Sequence, residues 1–558
     1  MKLDLTRDYD HAVATFDWQI PTRFNIAHAI SDQHAVAAPA RAALIFAQAD
    51  GKTRTWSQGE VGGSANRLAN ALEALGIGRG DIVGVHLPQS PECLIAHIAI
   101  LKRGAIVLPL FRLFGPDALT YRLSHSRAKC LLTLNSAWEQ VRTDVDALDT
   151  LEHVITVGQA SRPTRSFWQL ISSASDTAQT ADTSANDPAV IIYTSGTTGP
   201  PKGALHAHRV LFGHLPGVVL PHDGFPQAGD RFWTPADWAW IGGLLDVLWP
   251  ALHCGVPVVG SDNQKFDPEW AFQFMTEHGV RNVFMPATAL RMMAQVPNPR
   301  ERFSPGLRSL ASGGETLGRE LIAWGRDTLG VTMNEFYGQT ECNLVVGNCA
   351  KLFDVQPGSM GRAIPGHHVG IVDDDGHEVP TGEAGVVAVR RPDPVMFLEY
   401  LHQPEATAAK FRGDWFLLGD VARRDADGHF WFEGRDDDII SSSGYRIGPG
   451  EIEDCLSAHP AISHAGVVGL PDPVRGEVVA AYIVLSPGVE QSADLEVGIR
   501  DHVRARLAAH EYPRIIRFVT ELPMTVTGKI KRGELRERGT RELEMRETET
   551  AGSTGTNA

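Results

Sequence analysis

Hydrophobic and polar positions alternate in a regular order near the start of the chain. Residues 80–111 read GDIVGVHLPQSPECLIAHIAILKRGAIVLPLF, with two short apolar runs on either side of the longer stretch Cys93–Leu101. Short apolar runs bounded by Gly and Pro are typical of buried strands, and the longer stretch has the length of a helix. The pattern predicts a strand, a helix and a second strand that form one βαβ unit.

The same alternation continues downstream. It predicts a helix near Asp117–Ser124 and apolar strands at Cys130–Thr133, Val190–Tyr193 and Val256–Val259. Helices that alternate with near-continuous apolar strands are typical of a sheet that is covered on both faces. We therefore predict an α/β fold for most of the chain.

The character of the sequence changes near Arg435. The segment DDDIISSSGYRIGPGEIEDCL passes from charged residues through a Ser/Gly loop into a helical pattern. Farther on, HAGVVGLPD and EVVAAYIVL predict strands and LEVGIRDHVRARLAA predicts a helix, which together form a small α+β domain. We predict a large N-terminal domain over 1–435, a small C-terminal domain over 436–540 and a flexible tail over 541–558.

Composition narrows the function classes. The formal charge is −16, from 51 basic and 67 acidic side chains, and no basic run is visible, so nucleic acid is not an expected partner. The six cysteines are scattered without close pairs, which indicates neither a disulfide framework nor a zinc site. The N-terminus lacks an apolar secretory segment and Cys93–Leu101 is too short to span a membrane. We expect no membrane span and a cytoplasmic location.

The segment YTSGTTGPPKG follows an apolar run and combines glycines, hydroxyl side chains and a lysine. Glycines permit tight turns, hydroxyls donate hydrogen bonds and Lys202 supplies a cation, a combination that suits a polyphosphate. The spacing is not that of a Walker A loop, because Lys202 is followed by Gly203. The residues predicted to bind ATP phosphates are Thr194, Ser195, Gly196, Thr197, Thr198, Gly199 and Lys202.

Further motifs follow in a fixed order: TPADWAWIGG, SGGE, YGQTEC, GDWFLLGD, GRDDDIISSSGYRIGPGEIE and PMTVTGKIKR. Together with the phosphate loop they resemble the adenylate-forming (AMP-binding) superfamily, in particular its acyl-CoA synthetase branch and the medium-chain enzymes. The resemblance implies a large adenylate-forming domain and a small mobile C-terminal domain. It also implies that a carboxylic acid, ATP and coenzyme A are converted through an acyl-adenylate to acyl-CoA, AMP and diphosphate.

The resemblance also implies roles for individual residues in the large domain. Glu341 matches a carboxylate that coordinates Mg²⁺, and Thr340 matches the neighbour that contacts phosphate. The residues that match the adenine and ribose contacts are Gly314, Glu315, Thr316, Asp420 and Arg435.

In the small domain Lys529 matches the lysine that catalyses adenylation, where a cation stabilises charge that develops in the transition state. Asp437 matches the hinge about which this domain rotates after the first half-reaction. The resemblance assigns Ser443, Gly444 and Tyr445 to the CoA tunnel and Arg446 to a phosphate contact. A charged interdomain loop that does not move is the plainer alternative.

Two positions match the acyl pocket of the family. Trp240 matches an aromatic residue at the pocket entrance, and Gly338 stands where acetate-restricted relatives carry a tryptophan that closes the pocket. A glycine there predicts space for several more carbons, so we expect a medium-chain or branched fatty acid. An aromatic acid is the alternative.

Other readings of the chain remain open. The enzyme could load the acid onto a carrier protein, act as a luciferase-like oxygenase, or be a nucleotide sensor without catalysis. Pro523 and Lys529 form the spacing PxxxxGK, which resembles acetylation targets among these synthetases. A lysine acetyltransferase and a deacetylase that act on Lys529 are therefore expected regulatory partners, because acetylation removes the charge.

Overall fold

The computed structural model describes residues 3–48, 50–145, 148–158, 164–194, 200–263, 265–314, 317–373, 375–435, 440–508, 510–523, 530 and 532–553. The backbone forms two compact units. The larger contains the described parts of 1–112, 119–194 and 202–436, and the smaller contains those of 113–118 and 437–558.

The strands in the described part of the chain are β1 Ala42–Ala47, β2 Thr53–Ser57, β3 Ile82–His86, β4 Ile106–Pro109, β5 Cys130–Leu134, β6 His153–Val157, β7 Arg165–Ser166, β8 Pro188–Thr194, β9 Lys202–Ala207, β10 Phe232–Trp233, β11 Val258–Ser261, β12 Asn282–Phe284, β13 Ser309–Gly313, β14 Met333–Gln339, β15 Cys342–Gly347, β16 Ser359–Ala363, β17 Val369–Val372, β18 Ala384–Arg390, β19 Glu399–Tyr400, β20 Phe411–Arg412, β21 Trp415–Arg424, β22 Phe430–Arg435, β23 Ile440–Ser442, β24 Tyr445–Ile447, β25 Ile462–Asp472, β26 Gly476–Leu485 and β27 Ile515–Phe518.

The α-helices are α1 Tyr9–Thr15, α2 Gln33–Ala37, α3 Gln58–Ala74, α4 Pro91–Lys102, α5 Pro116–Ser126, α6 Asn135–Val145, α7 Phe167–Ser173, α8 Val210–Val219, α9 Ile241–Gly243, α10 Trp249–His253, α11 Pro268–Glu277, α12 Ala287–Ala294, α13 Pro299–Arg302, α14 Arg319–Trp324, α15 Pro404–Ala408, α16 Pro449–Ser457, α17 Ala493–Arg506 and α18 Arg532–Ser553. Short π-helical segments cover His28–Asp32, Leu244–Leu248 and Gly325–Leu329.

The predicted βαβ unit is present as β3, α4 and β4, and the two strands pair in parallel. Helix α4 begins where the Ser90 hydroxyl accepts a hydrogen bond from the Cys93 amide, with Pro91 in the first turn. All residues of α4 except Glu92 are buried, which is why its sequence is apolar on all sides rather than on one face. The predicted helix near residue 117 and the strands near 130, 190 and 256 are also confirmed as α5, β5, β8 and β11.

The larger unit contains two sheets. A 14-stranded sheet has the order β17-β18-β21-β22-β16-β15-β14-β13-β12-β10-β11-β1-β2, with β20 paired to β21. An 8-stranded sheet has the order β19-β9-β8-β4-β3-β5-β6-β7. The largest apolar cluster takes side chains from β1 and α3 and from β3 and α4, so one core joins both sheets.

The smaller unit is a five-stranded sheet in the order β24-β23-β26-β25, with β27 beside β26. Its core takes apolar side chains from α16 and α17, which confirms the predicted α+β character. Residues 541–553 continue α18, whereas the sequence predicted a flexible tail from 541 onwards. The helix is supported there by ion pairs of Glu542 with Arg517 and Arg538.

Within the described residues, none of the helices combines the length and the apolar character that crossing a bilayer requires.

Leu344 adopts an unusual backbone conformation at the centre of the larger unit. Its φ is +58° although it is fully buried, a conformation that costs energy for a residue other than Gly. Two glycines make room for it: a Cβ on Gly217 of α8 would lie 2.4 Å from the Leu344 Cβ, and one on Gly338 of β14 would lie 2.4 Å from the Leu344 amide nitrogen. Helix α8 and strand β14 can therefore approach β15 only because both positions are glycine.

Replacing Gly217 with alanine is expected to destabilise the larger unit by about 1–3 kcal/mol, because the added methyl overlaps Leu344. Gly63 in α3 is the matched control, since a Cβ there meets nothing within 4 Å. Gly63→Ala should be neutral or stabilising by about 0.5–1 kcal/mol. Urea denaturation followed by tryptophan fluorescence compares the two, and equal midpoints would contradict the expectation.

Candidate functional site

Strands β8 and β9 fix both ends of the predicted phosphate loop. Thr194 is the last residue of β8 and Lys202 the first of β9, and the two pair directly in the antiparallel register. The Thr194 hydroxyl also donates to the Lys202 carbonyl oxygen at 3.5 Å. The predicted loop is therefore closed at its base by a strand pair, with Lys202 at the beginning of β9.

Strands β13 and β14 run in parallel, so the segments that follow them emerge at the same edge. Gly314 follows β13 with φ +88°, a conformation that favours glycine. Thr340 and Glu341 follow β14 and form the tip of the hairpin to β15, in which Gln339 pairs with Cys342. The structure thus brings the predicted adenine and phosphate contacts to one edge of one sheet.

Two side chains of β14 hold the Asp420 carboxylate. The Tyr337 hydroxyl and the Gln339 amide both donate to Oδ2 of Asp420, each at 2.7 Å. Asp420 lies on β21, is 2% exposed and pairs across the ladder with Arg435 of β22. Because both donors end on one oxygen, they fix the orientation of the carboxylate.

The Glu341 carboxylate is held by a residue that is distant in sequence. The Tyr400 hydroxyl donates to Oε1 of Glu341 at 2.5 Å, and the backbone amide of Phe397 donates to the Glu341 carbonyl oxygen at 2.8 Å. Among the described residues, no hydrogen bond is made to the second oxygen, Oε2. Glu341 is 7% exposed, so its position is set by these contacts rather than by solvent.

Tyr400 also links Glu341 to Lys202. Strand β19, which carries Tyr400, pairs with β9 next to Lys202, and the Lys202 ammonium lies 5.2 Å from the centre of the Tyr400 ring. A cation at this distance is attracted by the ring face. One aromatic side chain therefore contacts the cation through its ring and the carboxylate through its hydroxyl.

A second buried carboxyl supports the segment after Gly314. Glu335 of β14 is 5% exposed and accepts a hydrogen bond from the Leu317 amide at 2.8 Å. Burial raises the pKa of the Glu335 carboxyl to about 8, and the Leu317 hydrogen bond offsets only part of that effect. The carboxyl is thus largely protonated at neutral pH, which avoids placing a charge in the apolar interior.

Trp240 begins a row of aromatic rings. Its ring centre lies 5.7 Å from that of Phe284, which is stacked at 5.2 Å on Phe336, the residue before Tyr337. Gly338 is the residue after Tyr337 on β14. Local packing excludes a side chain there, because a Cβ would overlap the backbone of Leu344. The pocket space that the sequence predicts at Gly338 remains a prediction.

In the smaller unit, Ser443 and Gly444 form a two-residue turn between β23 and β24. Both have positive φ, +54° and +79°, which is the type I′ geometry of a tight hairpin. The Ser443 hydroxyl accepts a hydrogen bond from Arg475 at 2.9 Å, and the Tyr445 ring is stacked on His510 at 3.8 Å. The predicted CoA-tunnel residues therefore form one rigid turn.

Several predicted residues lie outside the part of the chain that the structure describes. They are Ser195, Gly196, Thr197, Thr198, Gly199, Glu315, Thr316, Asp437 and Lys529, together with the side chains of Arg435 and Arg446. Their roles stay predictions.

The sequence reasoning missed Tyr337, Gln339 and Tyr400. Tyr337 and Gln339 alternate on one strand, and residues two apart in a strand share a face, so their motif contained a signal. No signal near Glu341 pointed to Tyr400, because the two residues are 59 positions apart in the sequence and come into contact only in the folded chain.

The geometry combines groups of complementary charge. A lysine and a glycine-rich loop suit phosphates, an oriented carboxylate suits two vicinal hydroxyl donors, and a second carboxylate with an open oxygen suits a hard cation. Such an arrangement can bind a nucleoside polyphosphate.

Two family models match the chain. The model described as "AMP-binding enzyme" matches residues 31–401, and "AMP-binding enzyme C-terminal domain" matches residues 451–529. The chain is 35% identical over 521 residues to the uncharacterized acyl-CoA ligase YtcI of Bacillus subtilis, covering 93% of this chain and 96% of YtcI. It is also 35% identical over 545 residues to the human mitochondrial acyl-coenzyme A synthetase ACSM4, covering 93% and 91%.

A solved structure supports the same architecture. The anthranilate CoA ligase AuaEII in complex with anthranoyl-AMP superimposes with a TM-score of 0.70 at 29% identity. The match covers 94% of this chain and 99% of that one.

Replacing Glu335 with glutamine is expected to remove a pH dependence of stability. A carboxyl whose pKa is raised from 4.5 to about 8 by folding contributes stability that is complete below pH 4.5 and is lost as the pH rises to about 8. Wild type should therefore lose stability relative to Glu335→Gln between pH 5 and 8, on the order of 3 kcal/mol. Urea unfolding at several pH values measures this, with the exposed Glu301→Gln as control. Parallel pH curves for wild type and Glu335→Gln would contradict the expectation.

Proposed function

The chain belongs to the AMP-binding enzyme family and is an AMP-forming acyl-CoA ligase, and from this premise we propose that it activates a carboxylic acid larger than acetate. The acid reacts with ATP to give acyl-AMP and diphosphate, and the thiol of coenzyme A then displaces AMP. The observation that carries the site assignment is the pair of carboxylates, Asp420 and Glu341, which are oriented by separate donors.

We assign the ribose of ATP to Asp420 and its phosphates to the region of Lys202. An ionised carboxylate is an acceptor that both ribose hydroxyls can reach, and charge-assisted hydrogen bonds are stronger than neutral ones. The buried residues His206 and His208 add no positive charge for the phosphates at neutral pH, because burial lowers their pKa values to about 3 and about 4. The positive charge for the phosphates thus comes from Lys202 and from the predicted residues Lys529 and Arg446.

Glu341 fits a site for Mg²⁺. Its carboxylate is a hard oxygen ligand, Oε1 is fixed by Tyr400, and Oε2 accepts no hydrogen bond from the described residues. Magnesium usually binds one or two carboxylates together with substrate phosphates, and when bound it neutralises phosphate charge. Tyr400 orients the carboxylate, and Thr340 is the predicted neighbour that contacts phosphate.

The transfer step needs no nucleophile from the protein. Acyl-AMP carries a good leaving group, so the CoA thiol attacks its carbonyl directly. The thiols of the chain are unsuited to this role: burial raises the pKa of Cys130 and of Cys254 to about 12, so neither forms the thiolate that a nucleophile requires. We propose that the turn at Ser443, Gly444 and Tyr445 guides the pantetheine arm.

For the acid we propose a medium-chain or branched chain, with an aromatic acid as the second candidate. Glycine at 338 lacks the tryptophan that closes the pocket of acetate enzymes, although the backbone of Leu344 occupies the space where its own Cβ would lie. Each CH₂ that the acid buries contributes about 0.8 kcal/mol. The aromatic row Trp240, Phe284 and Phe336 favours the second candidate, since rings stack on rings. A chain-length and ring series of AMP-formation rates decides between them, and a maximum at acetate would contradict both.

The delivery of the acyl group to coenzyme A is separable from its delivery to a carrier protein. We expect acyl-AMP made by the enzyme to be consumed only after coenzyme A is added. Hydroxylamine trapping of acyl-AMP before and after that addition measures the difference.

Lys529→Ala is expected to lower acyl-adenylate formation by about 10²–10³-fold, because a cation aimed at developing charge contributes that much to a transition state. Thioester formation from supplied acyl-AMP should change little. Acid-dependent ATP–diphosphate exchange and acyl-CoA release from synthetic acyl-AMP measure the two halves. An unchanged exchange rate in a folded Lys529→Ala protein would overturn the assignment.

Tyr400→Phe is expected to raise the Mg²⁺ concentration for half-maximal exchange by about 10-fold, because outer partners of a metal ligand contribute that much to metal affinity. The phenyl ring keeps its contact with Lys202, so the change isolates the hydroxyl. Tyr9→Phe is the control, since the Tyr9 hydroxyl makes an equally short hydrogen bond, 2.5 Å to the Ala363 carbonyl. A Mg²⁺ midpoint unmoved by Tyr400→Phe, or moved equally by Tyr9→Phe, would contradict the role.

A further inference from the structure

A buried polar cluster lies beside the predicted acyl pocket and has no part in the nucleotide site. It consists of Asn343 on β15, Asp246 on the π-helical segment Leu244–Leu248, and His214 on α8. Their exposures are 5%, 3% and 0%. The cluster is polar, whereas the residues next to Asp246 in its own buried segment are apolar: Leu244, Leu245, Val247 and Leu248.

The hydrogen bonds of the cluster have a single consistent orientation. The His214 Nδ1 lies 2.9 Å from the Val210 carbonyl oxygen and must donate to it, which leaves Nε2 as an acceptor. Nδ2 of Asn343 donates to Oδ1 of Asp246 at 2.7 Å and lies 3.3 Å from that Nε2. Both hydrogens of the amide are thereby used, so the position of Oδ1 of Asn343 is fixed.

Two oxygen atoms of this cluster make no hydrogen bond to any residue in the described ranges: Oδ1 of Asn343 and Oδ2 of Asp246. Leaving a buried polar group unsatisfied costs about 1–3 kcal/mol. Burial raises the pKa of the Asp246 carboxyl well above its usual range, which favours the protonated form. The two atoms together offer one acceptor and one donor.

The cluster adjoins Gly338, one of the two positions that the sequence assigns to the acyl pocket. A Cβ on Gly338 would lie 2.8 Å from Oδ1 of Asn343, so the carboxamide faces the backbone of that glycine. Asp246, which accepts from Asn343, is six positions beyond Trp240 in the sequence, on the segment that directly follows α9. Where an acetate enzyme is expected to place an indole ring, this chain places the carboxamide of Asn343.

We propose that the acid substrate carries a hydroxyl group at the end remote from its carboxylate, and that Asn343 and Asp246 recognise this hydroxyl. The proposal rests on the function proposed above and specifies its substrate class. The hydroxyl donates to Oδ1 of Asn343 and accepts from the Asp246 carboxyl. A purely hydrocarbon chain satisfies neither atom, so the same site disfavours a plain fatty acid.

The test uses acids in matched pairs that differ only by methyl against hydroxyl at one position, in a straight-chain series and in a ring series. The measured quantity is kcat/KM for AMP formation in the presence of coenzyme A. Sites built to hydrogen-bond a hydroxyl reject the analogue without it strongly. We expect wild type to favour the hydroxyl member of at least one pair by about tenfold or more.

Asn343→Leu should bring that ratio close to one, mainly by loss of the hydroxy acid. Asp246→Leu removes the second polar group and should also lower the ratio, whereas the conservative Asp246→Asn keeps one acceptor and one donor and should retain most of it. Because each ratio is taken within one protein, partial destabilisation affects both acids alike. Asp223→Asn is the control, since Asp223 also accepts from an asparagine, Asn334 at 3.2 Å, but in another part of the core.

Equal or better activity with the methyl member of every pair would overturn the proposal, as would ratios that Asn343→Leu and Asp246→Leu leave unchanged. A preference for the amino analogue over the hydroxyl would overturn the choice of ligand. Failure of the underlying function is distinguishable, since no acid of either type would then release AMP.

Discussion

The site depends on strand β14, whose side chains orient the Asp420 carboxylate of a distant strand. Tyr337 and Gln339 donate to the same oxygen, so one β-strand fixes the group that we assign to the ribose. The same strand carries Glu335, which supports the segment after Gly314, and ends at the hairpin that presents Glu341. The groups that we propose for phosphate, sugar and base contacts therefore depend on one strand, and their spacing follows from its geometry.

The electrostatics of the larger unit follow from how thoroughly it excludes water. Burial lowers the pKa of His206, His208 and His214 and raises the pKa of Glu335, Asp246 and Cys130, which favours the neutral form of each group. The side chains that we assign to the nucleotide, Lys202, Asp420 and Glu341, are of the kinds that phosphates, a ribose and a metal ion require. A chain with a net charge of −16 can bind a polyanion because the local field is set by a few fixed groups, not by the total.

Much of the fold was predictable because apolar periodicity directly reports burial. The βαβ unit at 82–109 and the α+β character of the smaller unit followed from run lengths and turn residues. Tyr400 could not be found this way, since its contact with Glu341 depends on β19 pairing with β9. The helix over residues 541–553 was missed because a local reading of its charged residues treats them as solvated, whereas Glu542 pairs with Arg538 of the same helix and with Arg517 of β27. Asn343 and Asp246 were missed for a related reason: a polar residue in an apolar run acquires meaning only from its neighbours in space.

The left-handed conformation of Leu344 bears on how this enzyme can be redesigned. Gly217, Gly338 and Leu344 fit together as three parts of one contact, and none of them tolerates extra atoms while the other two stay in place. A bulky residue at 338, introduced to shorten the proposed acyl pocket, would first have to displace the backbone of Leu344 on β15. Remodelling is thus more accessible from the side of Asn343 and Asp246, where a change of chemistry needs no shift of the main chain.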